Sequence, residues 1–323
     1  MKSIRRFGGI DVAAQTPVVK SNRRSKSGEQ SSNWNATWDL LPPITVDLDG
    51  NIVDPVLEAN LRLVMQSASR HPWVVAAGDR WYPDYGDFVR HQWEMTGKRN
   101  PVTGKPMTFD QAMDASGAYA INAPWNETMA NFHNWSIGSP NPKDKRNAMA
   151  DAASVADASI TSGHWVDRVE KAGTARKIND FTLNGKGDYS TSTTDRVMSR
   201  LALGTDDADF AAGMLGAAQA GSYIDPVTKE VVKLSGYERI SRAADRVAIA
   251  MGAPNEAAGQ ARMWIEFFGP EAAYGLPPDD VVAQGLVRIN QWVEEQVTAD
   301  AGGVHIPIGR YKAKGLNPSR VKA

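Results

Sequence analysis

Apolar residues recur along most of this chain at the spacing of an α-helix. The stripe that begins at Pro55 is the clearest example, and the same period returns in 109–121, 236–252, 256–268 and 279–297. A period of 3.6 residues is typical of amphipathic helices. Strand-like alternation is confined to residues 44–53, where Gly50 predicts a small hairpin or an extended lead-in. The sequence therefore predicts a mainly α-helical, bilobal bundle.

Both ends of the chain differ from its middle in being polar and basic. The first thirty residues hold seven Lys and Arg against two acids, and the last fourteen hold five with no acid. Basic, polar ends are typical of disordered segments that contact a polyanion. We therefore predict a disordered basic arm at 1–35, a helical domain at 36–302 and a basic tail at 303–323, and we expect the two basic ends to contact a polyanion.

Composition removes several classes of chemistry. The chain has no cysteine, which excludes disulfides, thiolate catalysis and zinc–thiolate sites. Its five histidines show no metal-ligand spacing, and no glycine-rich phosphate loop is present. No run of eighteen apolar residues is present either. We therefore expect no metal, no cofactor, no membrane span and a cytoplasmic location.

Lys177 and Asp195 are the most informative pair of residues. Lys177 follows a stretch of small residues, and Asp195 stands eighteen residues later at the start of an apolar-periodic helix. A lysine amine becomes a nucleophile when its surroundings lower its pKa, and a carboxylate stabilises a developing cationic sugar. Such a pair would suit the breaking of a glycosidic bond. The alternative is a solvated helix lysine and an acid that caps a helix.

The same layout resembles the helix-hairpin-helix DNA glycosylases. In that family a hairpin ending in G-[RK]-K is followed, at the same separation, by V-D-T-H-[VI]-x-R. The resemblance covers about 35 residues, and the family's L-P-G-[IV]-G hairpin is matched here without its proline and one of its glycines. It implies that Lys177, or a water in its place, attacks C1′ of the damaged nucleotide while Asp195 stabilises the cationic sugar.

The resemblance also implies a set of DNA contacts around this pair. These are the residues of the hairpin and its flanking cations: Gly173, Thr174, Arg176, Lys186 and Arg196. Asn122 and Trp125 stand where a proline ends a helix, a place that can present a side chain to an extruded base. The alternative for these two residues is a capping Asn and a core Trp.

Features before and after this pair in the sequence resemble actinobacteriophage proteins of unassigned role. The matching residues are Trp81 and Tyr82, the stretch from Ala118 to Asn131, and the Q-A-x-x-W motif that ends at Trp264. This second resemblance leaves three functions open. They are a DNA glycosylase with possible lyase activity, a phage enzyme that modifies bases on the same fold, and a non-catalytic DNA-binding or virion-associated phage protein.

Overall fold

In the computed structural model the described residues are 37–47, 50–121, 123, 125–155 and 175–269. They form ten helices and two small hairpins, so the predicted mainly α-helical bundle is confirmed. The helices of the first half are α1 Pro55–Ala68, α2 Pro72–Met95, α3 Phe109–Tyr119, α4 Trp125–Ser136 and α5 Arg146–Val155. Those of the second half are α6 Ala175–Lys186, α7 Arg196–Leu203, α8 Ala208–Leu215, α9 Gly236–Ala250 and α10 Glu256–Phe268.

The two hairpins are antiparallel and lie outside the helical layers. Strands β1 Thr45–Val46 and β2 Ile52–Val53 pair with each other, so the hairpin interpretation of residues 44–53 is confirmed. Strands β3 Gly221–Ile224 and β4 Val231–Leu234 form the second hairpin. The sequence did not predict this hairpin, and it did not predict α8.

Capping residues set the starts of several helices. Thr108 and Gln111 form a capping box at α3, and Ser235 and Glu238 form another at α9. Each box pairs two backbone N–H groups that the helix itself leaves without partners. Helix α2 begins at Pro72, which fits a first-turn position because proline lacks an N–H.

The buried apolar side chains form two clusters. One lies between α2, α3, α4, α5 and α6, and the other lies between α1, α7, α8 and α9. Helix α10 contributes to both, through Ala257, Ala261 and Ile265 on one side and Met263 on the other. Helix α10 therefore joins the two clusters. Helix α6, which carries Lys177, belongs to the first cluster, and α7, which follows Asp195, belongs to the second.

Two glycines let α6 approach α2 closely. A Cβ at Gly86 would lie 2.5 Å from the carbonyl oxygen of Gly185, and one at Gly185 would meet Tyr85 and Met113. Any larger residue there would push α6 away. This close packing fixes the position of the helix that carries Lys177.

Candidate active site

Asp195 is the N-cap of α7. Its Oδ1 accepts hydrogen bonds from the backbone N–H groups of Val197 at 2.9 Å and Met198 at 3.0 Å. The capping role that the sequence offered as an alternative is therefore present. Both of these bonds go to Oδ1, so the cap does not use Oδ2.

Lys177 lies in the first turns of α6 and is partly buried. Ile178, Phe181 and Thr182 of the same helix turn inward, where Phe181 packs on Tyr82 and Tyr85. The predicted hairpin residues Gly173 and Thr174 lie outside the described residues. Their role as DNA contacts stays a prediction.

A chain of hydrogen bonds joins α6 to the backbone just before Asp195. The hydroxyl of Tyr237, from α9, donates a short hydrogen bond to Asp180 Oδ2. The same hydroxyl accepts the backbone N–H of Thr194 at 3.3 Å. Asp180 follows Lys177 by three residues, so the two occupy neighbouring positions on one face of α6. Two hydrogen bonds in series thus hold the Asp180 carboxylate within about 6 Å of the Thr194 nitrogen.

Tyr82 is the next member of what we call the polar cluster, which comprises Tyr82, Asp180, Asp195, Tyr237 and Asp245. Its hydroxyl donates to Gln260 Oε1 at 2.8 Å. Burial raises the pKa of Tyr82, and the nearby carboxylates of Asp195 and Asp180 raise it further. Both carboxylates therefore act on the same phenol.

Two carboxyl groups in this cluster have strongly shifted pKa values. Burial raises the pKa of Asp180 to about 6, against the opposing effects of the Tyr237 hydroxyl and the Arg176 charge. Burial also raises the pKa of Asp245 to about 6, although its Oδ1 accepts the Ser192 N–H at 2.8 Å. Groups that exchange a proton near neutral pH are suited to general acid–base work.

The predicted cationic DNA contacts have carboxylate partners in two cases. Lys186 forms an ion pair with buried Asp114, with Nζ and Oδ1 2.8 Å apart. Arg176 is about half exposed and pairs with Glu238 at 2.7 Å. In each ion pair the carboxylate offsets the positive charge that would attract a phosphate. Arg196 is exposed in the first turn of α7. The DNA-binding roles of all three residues stay predictions.

Trp125 lies in the aromatic core rather than on an open surface. Its ring centroid is 4.3 Å from that of Trp81 and 5.3 Å from that of Tyr85. This is the packing role that the sequence offered as the alternative to base stacking. Its Nε1 is buried and has no hydrogen-bond partner among the residues that the structure describes. Asn122 lies outside the described residues, so the base-pocket prediction for it is not tested.

The residues that sequence reasoning missed are Tyr82, Asp180, Tyr237 and Asp245. Asp180 carried one usable signal, its position three residues after Lys177 on a predicted helix. Tyr237 and Asp245 belong to a helix predicted only from its apolar stripe. Their polar faces gave no sign of a partner in α6 or in the segment before α7.

A shallow depression of about 150 Å³ lies beside Tyr82, and its other polar lining residues are Asp79, Tyr189 and Asn255. Neither Lys177 nor Asp195 lines it. Within the described ranges, no group of three or more His, Asp and Glu side chains is placed to hold a metal ion. No helix in that part of the chain is long and apolar enough to cross a membrane.

Comparison with known proteins adds no family to this geometry. No family model matches the chain, and no curated protein or solved structure matches it either.

Proposed function

We propose that this protein acts on DNA bases and cleaves the N-glycosidic bond of a modified or mismatched base, in the manner of the helix-hairpin-helix glycosylases that it resembles. The observation that carries the proposal is the hydrogen-bond chain from Asp180 through Tyr237 to Thr194. It connects the helix of Lys177 to the residue before Asp195. The chain therefore supports a reaction in which residues of these two segments act together.

Each member of the pair has a distinct part in the proposed reaction. In this reaction the Lys177 amine attacks C1′ of the nucleotide, and a C–N bond to the lysine forms as the bond to the base breaks. The proton that the amine loses goes to the departing base. Asp195 stabilises the positive charge that develops on the sugar. Such a carboxylate lowers the activation barrier by several kcal/mol.

Asp195 is suited to this part because its capping bonds use one oxygen. With Oδ1 bound to Val197 and Met198 N–H groups, the carboxylate is held in one orientation. A fixed charge costs no reorganisation when the cationic sugar forms. Asp180, with its pKa near 6, is suited to exchanging protons with the cluster near neutral pH.

Borohydride trapping on duplex DNA that carries an abasic site tests the proposal. The amine of Lys177 forms an imine with C1′ of the opened sugar, and borohydride reduces this imine to a stable cross-link. We expect a covalent adduct with the wild-type protein and none with Lys177→Ala. Lys143→Ala, which changes an exposed lysine in another loop, is the matched control and should retain the adduct.

A second candidate is a DNA-binding protein without catalytic activity. It is favoured by the capping role of Asp195 and by the position of the depression beside Tyr82, which neither candidate catalytic residue lines. The same experiment separates the two functions. Tight, salt-sensitive DNA binding with no adduct and no released base would select the binding protein and reject Lys177 as a nucleophile.

A further inference from the structure

The loop between α2 and α3, residues 96–108, is fixed by buried hydrogen bonds. Asn100 lies at its base, almost fully buried, and its Oδ1 accepts the backbone N–H groups of Val102 and Thr103, each at 2.8 Å. The Asn100 side-chain amide donates to the Ser154 hydroxyl of α5. The backbone N–H of Met107 donates to the carbonyl of Lys98 at 2.9 Å. The loop is therefore a well-defined platform, although most of its residues are exposed.

Four cations stand on this platform or beside it. The guanidinium of Arg90 lies 4.0 Å above the ring of Phe109, and Lys98 Nζ lies 4.8 Å from the ring centre of Trp93. Arg99 donates to the carbonyl of Gly104 at 2.9 Å. Lys105 is exposed on the same loop. Aromatic rings and a carbonyl orient three of these charges without neutralising them.

None of the four cations forms an ion pair with a carboxylate among the described residues, which sets them apart from most of the arginines there. Eight arginines elsewhere in that part of the chain do pair with Asp or Glu: Arg62, Arg80, Arg146, Arg176, Arg200, Arg239, Arg246 and Arg262. Between residues 90 and 110 the sequence has four Lys and Arg against two acids. The surface therefore keeps a net positive charge.

We propose that Arg90, Lys98, Arg99 and Lys105 form a surface that binds the phosphate backbone of duplex DNA. This inference rests on the proposed function, which supplies the polyanion. Tyr82 of the candidate site lies on the same helix as the start of the loop, thirteen residues before Met95. At 1.5 Å per residue this separation is about 20 Å, which equals about six base pairs of a duplex. A duplex bound at the site can thus reach the loop.

The rival partner for this surface is an anionic membrane, because Met95 and Val102 are exposed beside the cations. One apolar side chain at the end of α2 and one on the loop are far fewer than the continuous apolar face with which a helix enters a bilayer. Phosphates along a duplex, in contrast, need only separated, oriented cations. The number and arrangement of the groups therefore favour DNA.

The test compares salt-dependent binding of a 24-base-pair duplex, followed by fluorescence anisotropy. The variant is Lys98→Gln/Arg99→Gln/Lys105→Gln, and the matched control is Lys143→Gln/Lys145→Gln, which removes exposed charge from the loop before α5. Each lost phosphate contact lowers the slope of log affinity against log salt by about 0.9. We expect the triple variant to lower the slope by about 2 to 3 and to weaken binding about tenfold or more at 0.15 M salt. The control should change neither quantity by a comparable amount.

The possible outcomes separate this inference from the proposed function. If the wild-type protein binds DNA and the triple variant keeps its slope and affinity, the loop surface is rejected and the proposed function stands. If the wild-type protein binds no DNA, both are rejected. Binding to phosphatidylserine vesicles that the triple variant loses, without DNA binding, would assign the surface to membranes and overturn the inference. Circular dichroism of each variant verifies that the exposed substitutions leave the fold intact.

Discussion

Replacing Asp180 with asparagine should make the protein's stability less dependent on pH. Burial raises the pKa of Asp180 in the folded protein to about 6, while an aspartate in an unfolded chain has a pKa of about 3.9. A carboxyl group whose pKa is raised by folding stabilises the protein at low pH. That contribution is fully present below the unfolded pKa and is lost as the pH rises through about 6.

The size of the effect follows from these two pKa values. Linkage gives a loss of about 2 kcal/mol in unfolding free energy from this one group between pH 4.5 and pH 7.5. The oxygen of an asparagine can still accept the Tyr237 hydroxyl, so the hydrogen-bond chain to Thr194 is kept. The substitution therefore removes the titration and little else.

The measurement is urea unfolding followed by tryptophan fluorescence at pH 4.5 and pH 7.5. We expect the stability of Asp180→Asn relative to wild type to improve by about 2 kcal/mol between the lower and the higher pH. Asp209→Asn, at an exposed aspartate in the first turn of α8, is the control and should show no such change. A relative stability of Asp180→Asn that is the same at both pH values would refute the reasoning from burial.

Two further substitutions test the hydrogen bonds of the Tyr237 hydroxyl and the buried ion pair between Arg239 and Asp54. Tyr237→Phe leaves the Asp180 carboxylate without its donor and the Thr194 N–H without its acceptor, and we expect urea unfolding to show a loss of about 1–3 kcal/mol; an unchanged midpoint would mean that water replaces the hydroxyl at no cost. Arg239→Met leaves Asp54 charged and buried, since the two form an almost fully buried ion pair, and a loss of about 3–5 kcal/mol is expected. The double variant Arg239→Met/Asp54→Leu should recover much of that loss, and a double variant no more stable than the single one would contradict this account of the pair.

Local sequence signals were sufficient for most of the helices. Helix α7 was predicted because an apolar-periodic segment follows Asp195, and the structure places Asp195 at the N-cap of this helix. Helix α9 was predicted from its apolar stripe, and Ser235 caps it. In these cases the period and the cap residues agreed, so the local pattern determined the element.

Short elements with weak local signals were not predicted from the sequence. The β3–β4 hairpin consists of two four-residue strands around the turn at Asp225, whose Oδ1 accepts the N–H groups of Val227 and Thr228. Strands this short carry little alternation. Helix α8, Ala208–Leu215, has only eight residues and was not predicted either.

The candidate site was predicted only in part because its connections are tertiary. Lys177 and Asp195 could be selected by residue type and spacing. The partnership of Asp180 with Tyr237 spans 57 residues and depends on how α6 packs against α9. No local pattern in the sequence encodes such a pair, and burial, which shifts the pKa of Asp180, is known only once the fold is known.

The central claim is that the Asp195 carboxylate takes part in catalysis. Two matched N-cap substitutions test this claim most directly. Asp195 and Asp207 each cap a short helix, and each accepts two backbone N–H groups through Oδ1. Asparagine is an equally good N-cap residue, so both Asp→Asn variants should fold with little change in stability. They differ in whether the lost charge belongs to the proposed site.

The measurement is the rate of base release from duplex DNA that carries a modified or mismatched base, for wild type, Asp195→Asn and Asp207→Asn, with the folded fraction of each protein determined in parallel. The account predicts that Asp195→Asn loses at least about a hundredfold in rate, as expected when a carboxylate worth several kcal/mol is neutralised, while Asp207→Asn keeps the wild-type rate. Equal rates for the two variants per folded molecule would contradict the account, because Asp195 would then serve only to cap its helix.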